Sequence, residues 1–128
     1  MQIVPFYAGL LALVFVVLSV RVIRQRRGAK VAIGPGGNPS LERAMRVHAN
    51  FAEYVPFAVV LLALMELQRA PAFLLHALGL VLLAGRLVHA YGVSQPNENF
   101  RFRVTGMMAT FATLVIAALY LIYRSLIG

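Results

Sequence analysis

What most constrains this chain is a set of four apolar stretches. Each is close to the ~20 residues that a helix needs to cross the hydrocarbon core of a bilayer. The first runs from about Met1 to Val20 without a charge. The second, from about Val47 to Leu67, carries Asn50 and Glu53. The third, from about Pro71 to Val93, carries His76, Arg86 and His89, and the fourth, from about Val104 to Tyr123, is again uncharged. Lipid offers the backbone no hydrogen-bond partner, so a spanning segment must be a helix or part of a closed barrel. Strand-like alternation is absent from all four. The reading is an all-α, integral-membrane four-helix bundle in a single domain over residues 1–128, with helices at about residues 1–22, 41–68, 71–93 and 102–125.

Composition agrees with this fold class and removes several functions. Hydrophobic residues make up 61% of the chain and charged ones 12%, against about 45–50% and about 25% in soluble domains. The net charge of +8 would suggest nucleic acid in a polar chain; here it points to a membrane surface, and no nucleic-acid partner is expected. Cysteine is absent, so disulfides, thiolate metal sites and a cysteine nucleophile are excluded, and any sulfur chemistry must arrive with a substrate. No two histidines share a helix face at ligand spacing, and there are only 4 carboxylates, so no metal site is expected. The first stretch is a poor signal peptide, because its basic residues follow the apolar run instead of preceding it.

The connections are strongly asymmetric. Arg21, Arg24, Arg26, Arg27, Lys30, Arg43 and Arg46 surround the first, whose middle, Gly34-Pro35-Gly36-Gly37-Asn38-Pro39, must leave helix geometry. Ser40-Leu41-Glu42-Arg43 resembles a helix start. The second connection, around Gln68-Arg69-Ala70-Pro71, is short enough to make helices two and three an antiparallel hairpin. The third, Ser94 to Arg103, carries Arg101 and Arg103. With an even number of helices, both termini share one side and connections one and three share the other. The excess of arginine predicts that connections one and three are cytoplasmic and the termini are not.

Arg46, Asn50 and Glu53 are spaced i, i+4, i+7 and so share one face of helix two, with Tyr54 about 100° further round. At a rise of ~1.5 Å per residue, Glu53 and Arg86 reach a similar depth from the same membrane face, and His89 lies one turn nearer the surface. An ionised group in a spanning helix faces a partner or a wet cavity. One reading is structural: Glu53 and Arg86 form an ion pair while Arg46 snorkels to the interface. The other is a site for an anionic ligand, since so many arginines lack acidic partners. His48 and His76 read as hydrogen-bonding groups between helices. Met107 and Met108 read as packing for helix four, and Gly79 and Gly85 as points of close helix approach. A small proton-coupled exporter using Glu53 is a further class to weigh.

The segment Arg46-Val47-His48-Ala49-Asn50-Phe51-Ala52-Glu53-Tyr54-Val55-Pro56, read as R-x-x-x-N-x-x-E-Y-x-P, resembles the signature of the MAPEG family (membrane-associated proteins in eicosanoid and glutathione metabolism). Arg26-Arg27 ahead of the first connection, Glu42-Arg43, Gly85-Arg86-Leu87 and Phe102-Arg103-Val104 match further positions, so the resemblance covers nearly the whole chain. It implies a homotrimer in contact with membrane lipids, with glutathione as co-substrate at the interface between subunits and a hydrophobic second substrate that enters from the bilayer. The tripeptide-binding positions match Arg46, Asn50, Glu53, Tyr54 and Arg86, with Arg26 donated by the neighbouring subunit; His89, three residues after Arg86, is placed by its spacing and not by the resemblance to line the same site. Arg103 matches the arginine thought to activate the thiol, with Arg101 as the alternative, and Arg27 matches a second arginine thought to assist the electrophile. The implied activity is a glutathione transferase or peroxidase of a bacterial inner membrane; the alternative is a non-catalytic lipid- or anion-binding scaffold of the same fold. The chain departs from leukotriene C synthase after the helix-three arginine, where His89 and Val93 stand in place of two tyrosines. This pattern is more like the bacterial branch of the family.

The absence of cysteine makes the topology simple to test. Single cysteines placed at Ala32 and at Gln68 are expected to label from opposite sides of the intact cell membrane, with Ala32→Cys protected until the cell is opened. Labelling of both from outside would overturn the topology.

Overall fold

Glycine and proline in the connections, and capping groups at the helix ends, divide the chain into four helices: α1 (Ile3–Ala29), α2 (Pro39–Leu67), α3 (Ala72–Ser94) and α4 (Phe100–Ile127). The structure is a computed structural model describing residues 2–128. Each helix is long and apolar enough to cross a membrane. With no strand among the described residues, the fold is an all-helical four-helix membrane bundle.

Helix ends carry backbone groups that lack partners within the helix, and here most are met by specific residues. Asn38, not Ser40, caps α2: its Oδ1 accepts from the N–H of Leu41 at 3.0 Å. Pro39 opens the helix where a missing N–H costs nothing. Asn99 caps α4 in the same way, accepting from Arg101 N–H at 3.0 Å, which starts that helix slightly before the expected residue 102. The sequence placed the end of the first helix near residue 22, but α1 continues through its arginines to Ala29. It closes with Lys30 in a left-handed conformation. At ~1.5 Å per residue α1 is about 40 Å long, so its charged last turns extend beyond a ~30 Å hydrocarbon core.

The start of α1 has no side-chain cap of its own. Glu66, at the far end of α2, supplies it: its carboxylate accepts from Gln2, Ile3 and Val4 N–H at 3.1, 2.7 and 2.9 Å. An anion at a helix N-terminus is stabilising, and this one also pins α1 to α2. Tyr7 hydroxyl and His76 Nδ1 are hydrogen-bonded at 2.8 Å nearby, tying α1 to α3. His48 is hydrogen-bonded to Ser19 at 3.0 Å, tying α1 to α2.

α1 packs on α2 and α3, and α4 packs on α2 and α3, leaving α1 and α4 apart among the described residues. The central contacts include Leu11, Phe51, Leu62, Leu75 and Leu82. Helices in lipid associate through close packing, since lipid chains are as apolar as leucine. Small residues decide where α3 meets α4. A Cβ at Gly106 would lie 2.5 Å from His89 Cβ and 2.6 Å from the carbonyl oxygen of Gly85. One at Gly92 would collide with Phe102. These glycines bring His89 and the start of α4 together.

Gly106→Ala is therefore expected to destabilise the bundle by about 1–3 kcal/mol. The backbone carbonyl of Gly85 cannot step aside, and the gain in helix propensity of about 1 kcal/mol does not offset the clash. Gly9→Ala, with nothing within 4 Å of the added carbon, is the control and should be neutral or slightly stabilising. Unfolding in mixed micelles reads both, and equal behaviour of the two variants would contradict the packing argument.

Candidate functional site

Arg86 is the most demanding residue in the bundle, being only 1% exposed in the middle of α3. Its Nη2 donates to Asn50 Oδ1 at 2.5 Å, and its Nη1 donates to Thr110 Oγ1 at 3.3 Å and approaches Met107 Sδ at 3.8 Å. The guanidinium lies 5.7 Å from the centre of the Phe51 ring. Its Nε has no partner, and no carboxylate pairs with it among the described residues. The intrasubunit ion pair between Glu53 and Arg86 is thus not formed. Glu53 lies on the exposed face of α2, the face it shares with Arg46. Glu53 is exposed where Arg86 is buried, so the two groups point in different directions.

Asn50 links Arg86 to a cleft of about 120 Å³ lined by Arg46, Asn50, His89, Val93, Arg103 and Met107. A neighbouring cleft of about 280 Å³ shares Arg46, Val93 and Arg103 and adds Glu42 and Arg43. Together they form a polar trough at the arginine-rich end of α2, α3 and α4. His89 is 3% exposed; its Nδ1 is sealed from solvent without a partner. A buried polar atom left unpaired is costly, and it belongs to a ring that lines the trough.

Glu98 organises the rim. Its carboxylate accepts two bonds from Arg103, from Nε at 2.7 Å and Nη2 at 2.7 Å. It accepts a third from Arg43 Nη1 at 3.0 Å, and the same Nη1 reaches the carbonyl of Val93 at 2.8 Å. Burial of the Glu98 side chain, 4% exposed, opposes its ionisation. The hydrogen bonds from Arg103 and Arg43 outweigh that and hold the carboxyl below its ordinary 4.5. The two-pronged bond fixes Arg103 and leaves its Nη1 free.

Of the residues singled out from sequence, the structure gathers Arg46, Asn50, His89 and Arg103 around one cleft and places Arg86 behind Asn50. Tyr54 packs edge-on against Phe111 with ring centres 5.6 Å apart. Arg26 turns to its own connection, donating to the carbonyls of Val31 and Gly34 at 3.4 and 2.9 Å. Arg27 and Arg101 are exposed and lie outside this cleft. Glu98, Arg43 and Thr110 were missed, as was the contact of Met107 with Arg86. One signal for Glu98 was available: it is the lone carboxylate of the third connection, five residues before Arg103.

Four helices long and apolar enough to cross a membrane, with a cationic cleft at one end, define the class as an integral membrane protein. The MAPEG family profile matches residues 4–123, and the chain belongs to that family. It is similar to the Inner membrane protein YecN of Escherichia coli (strain K12), 43% identical over 113 residues that cover 88% of this chain and 85% of the relative. The same protein of Escherichia coli O6:H1 matches to the same extent.

The Glu98 cluster carries a sign that can be checked. A carboxyl held below its ordinary value stabilises the fold fully above 4.5 and loses that contribution as pH falls through the lowered value. The melting temperature of the wild type should exceed that of Glu98→Gln at neutral pH, with the gap narrowing below pH 4.5. A gap that stays constant with pH would show that the pairing is not linked to ionisation.

Proposed function

We propose that this protein is a membrane-embedded glutathione-dependent transferase or peroxidase acting on apolar electrophiles or lipid hydroperoxides. The observation that carries the reading is the convergence of Arg46 and Arg103 with Asn50 and His89 on one cleft, in a chain of this family. Guanidinium groups bind carboxylates through paired, charge-assisted hydrogen bonds, so Arg46 is the group for a carboxylate of the tripeptide. A neighbouring guanidinium favours the thiolate of a cysteine, and the free Nη1 of Arg103 supplies that charge. His89 lines the same cleft, and its Nε2, unlike the sealed Nδ1, is the ring nitrogen that could meet the same ligand.

The reading includes a homotrimer in a bacterial cytoplasmic membrane, with connections one and three in the cytoplasm. Glu53 supports the assembly. A carboxylate on an outward face within the span is expensive unless something covers it, and Glu53 makes no hydrogen bond among the described residues. A neighbouring subunit with its ligand would cover it and bring Arg26 and Arg27 to the site. Arg101 then remains the alternative to Arg103. The grip of Glu98 on Arg103 favours one second reading, a scaffold that binds a lipid or other anion without turning it over, because it offsets the charge that a thiolate would need.

Calorimetry on the purified protein with glutathione decides whether the ligand is right; absence of heat at millimolar ligand would refute the reading. Arg46→Ala should weaken glutathione binding about ten-fold or more, the loss of one charge-assisted bond at about 1.5–3 kcal/mol. Arg103→Ala should abolish turnover of a hydrophobic aryl halide and the thiolate absorbance on mixing, with binding largely kept. Equal loss of binding in both variants would contradict this division, and wild-type binding without any thiolate signal would select the scaffold.

A further inference from the structure

Glu98 has the place that a ligand carboxylate would take. It stands in the short connection between α3 and α4, flanked by Asn97 and Asn99. Its side chain is nevertheless 4% exposed, while those of Arg43 and Arg103 are 30 and 44% exposed. A carboxylate in an irregular connection ordinarily faces water; this one is drawn in by guanidinium groups from two helices. Arg43 and Arg103 also line the cleft of about 280 Å³ that Arg46 shares. Glu42, the other carboxylate on that wall, is exposed and pairs with no arginine among the described residues. Three cationic groups thus meet at one cleft, and two of them are already answered by the chain itself.

Neither of those two arginines is saturated. Arg43 uses only Nη1, for Glu98 and the carbonyl of Val93, and keeps Nε and Nη2. Arg103 gives Nε and Nη2 to Glu98 and keeps Nη1. Arg46 enters no ion pair among the described residues. The tether of Glu98 decides which anions can enter. Glu98 lies five residues from Arg103, so it competes as an intramolecular group, at an effective concentration of about millimolar or above. A free anion with a single acidic group would only exchange one anion for another on the same donors, and would lose to the tethered one. A ligand already anchored on Arg46 is itself intramolecular when its second carboxylate reaches Arg43. Such a ligand competes on equal terms. Its success would return to Arg103 the part of the charge that Glu98 offsets.

We infer that Glu98 is a specificity-determining residue: it closes Arg43 and Arg103 to free anions with a single acidic group and gives way to a dicarboxylate anchored on Arg46. The identity of that ligand rests on the glutathione reading; the hold of Glu98 on the arginine pair does not. In glutathione one carboxylate goes to Arg46 and the other to Arg43, and the released Arg103 faces the thiol.

Calorimetry on the full-length protein in neutral detergent tests this with glutathione and inorganic phosphate as probes. Glu98→Gln keeps the shape of the side chain and removes its charge. It should bind glutathione about ten-fold more tightly than wild type, because a charge-assisted competitor is gone. It should gain about ten-fold or more in phosphate affinity for the same reason. Glu98→Asp, whose carboxylate ends one carbon short, should fall between the two and serves if the amide variant does not fold. Hydrogen exchange in wild type gives a readout that a merely structural role would not move. Glutathione should speed exchange over residues 95–99, and its glycine monoethyl ester, which lacks the second carboxylate, should not. Glutathione affinity unchanged or weakened in both variants would overturn the role of Glu98 and leave the glutathione reading intact. Failure of glutathione to bind any of the three proteins would refute that reading, and phosphate would then decide: a gain in the variants upholds the hold of Glu98, and equal binding overturns it. Exchange unmoved by glutathione, or sped equally by the ester, would overturn the displacement of Glu98 by a second carboxylate.

Discussion

A guanidinium sealed among spanning helices must be supplied with acceptors, and Asn50 and Thr110 meet this demand by accepting hydrogen bonds from Nη2 and Nη1 of Arg86. They join α2, α3 and α4 at one depth and set the azimuth of each helix about its own axis. Because Asn50 faces Arg86, Arg46 one turn earlier is turned toward the rim and Glu53 toward the outside. Because Thr110 faces Arg86, Arg103 two turns earlier sits beside Arg46. The glycines at 85, 92 and 106 let α4 come close enough for this network to form. The positions of the site residues follow from one buried cation and three missing side chains.

The site that results is cationic but restrained. Glu98 holds Arg103 and Arg43 in a defined geometry, at the expense of part of their charge. A ligand with two carboxylates would compete with Glu98 for these arginines, so ligand binding and the conformation of the third connection become coupled. The opposite end of the bundle uses its carboxylate differently. Glu66 is consumed in capping α1, and so ties the termini-bearing side together, while the arginine-rich side keeps its cleft.

The four spans, the helical class and the family were legible in the sequence, because lipid imposes a minimum apolar length and the residues from Arg46 to Pro56 carry a distinctive pattern. Which residues share a helix face was legible too, since helical spacing converts positions into angles. Direction was not. Helical spacing shows that Arg46 and Glu53 share a face, but not that this face looks outward while Asn50 looks toward Arg86. The length of α1 was also hidden, because Arg24, Arg26 and Arg27 resemble a connection until Lys30 is seen closing the helix. Glu98 escaped notice as an ordinary polar residue in a turn. Its role depends on two arginines brought to it by different helices.

The central claim is that the arginines around Asn50 and His89 exist to hold a guest and not merely one another. A density map of the assembled protein in lipid with glutathione present tests this most directly. The account predicts density for the tripeptide in the Arg46–Asn50–His89–Arg103 cleft, with its sulfur beside Arg103 and Glu53 covered at a subunit boundary. An unfilled cleft, with Arg103 still clasped by Glu98 and Glu53 bare toward lipid, would contradict it.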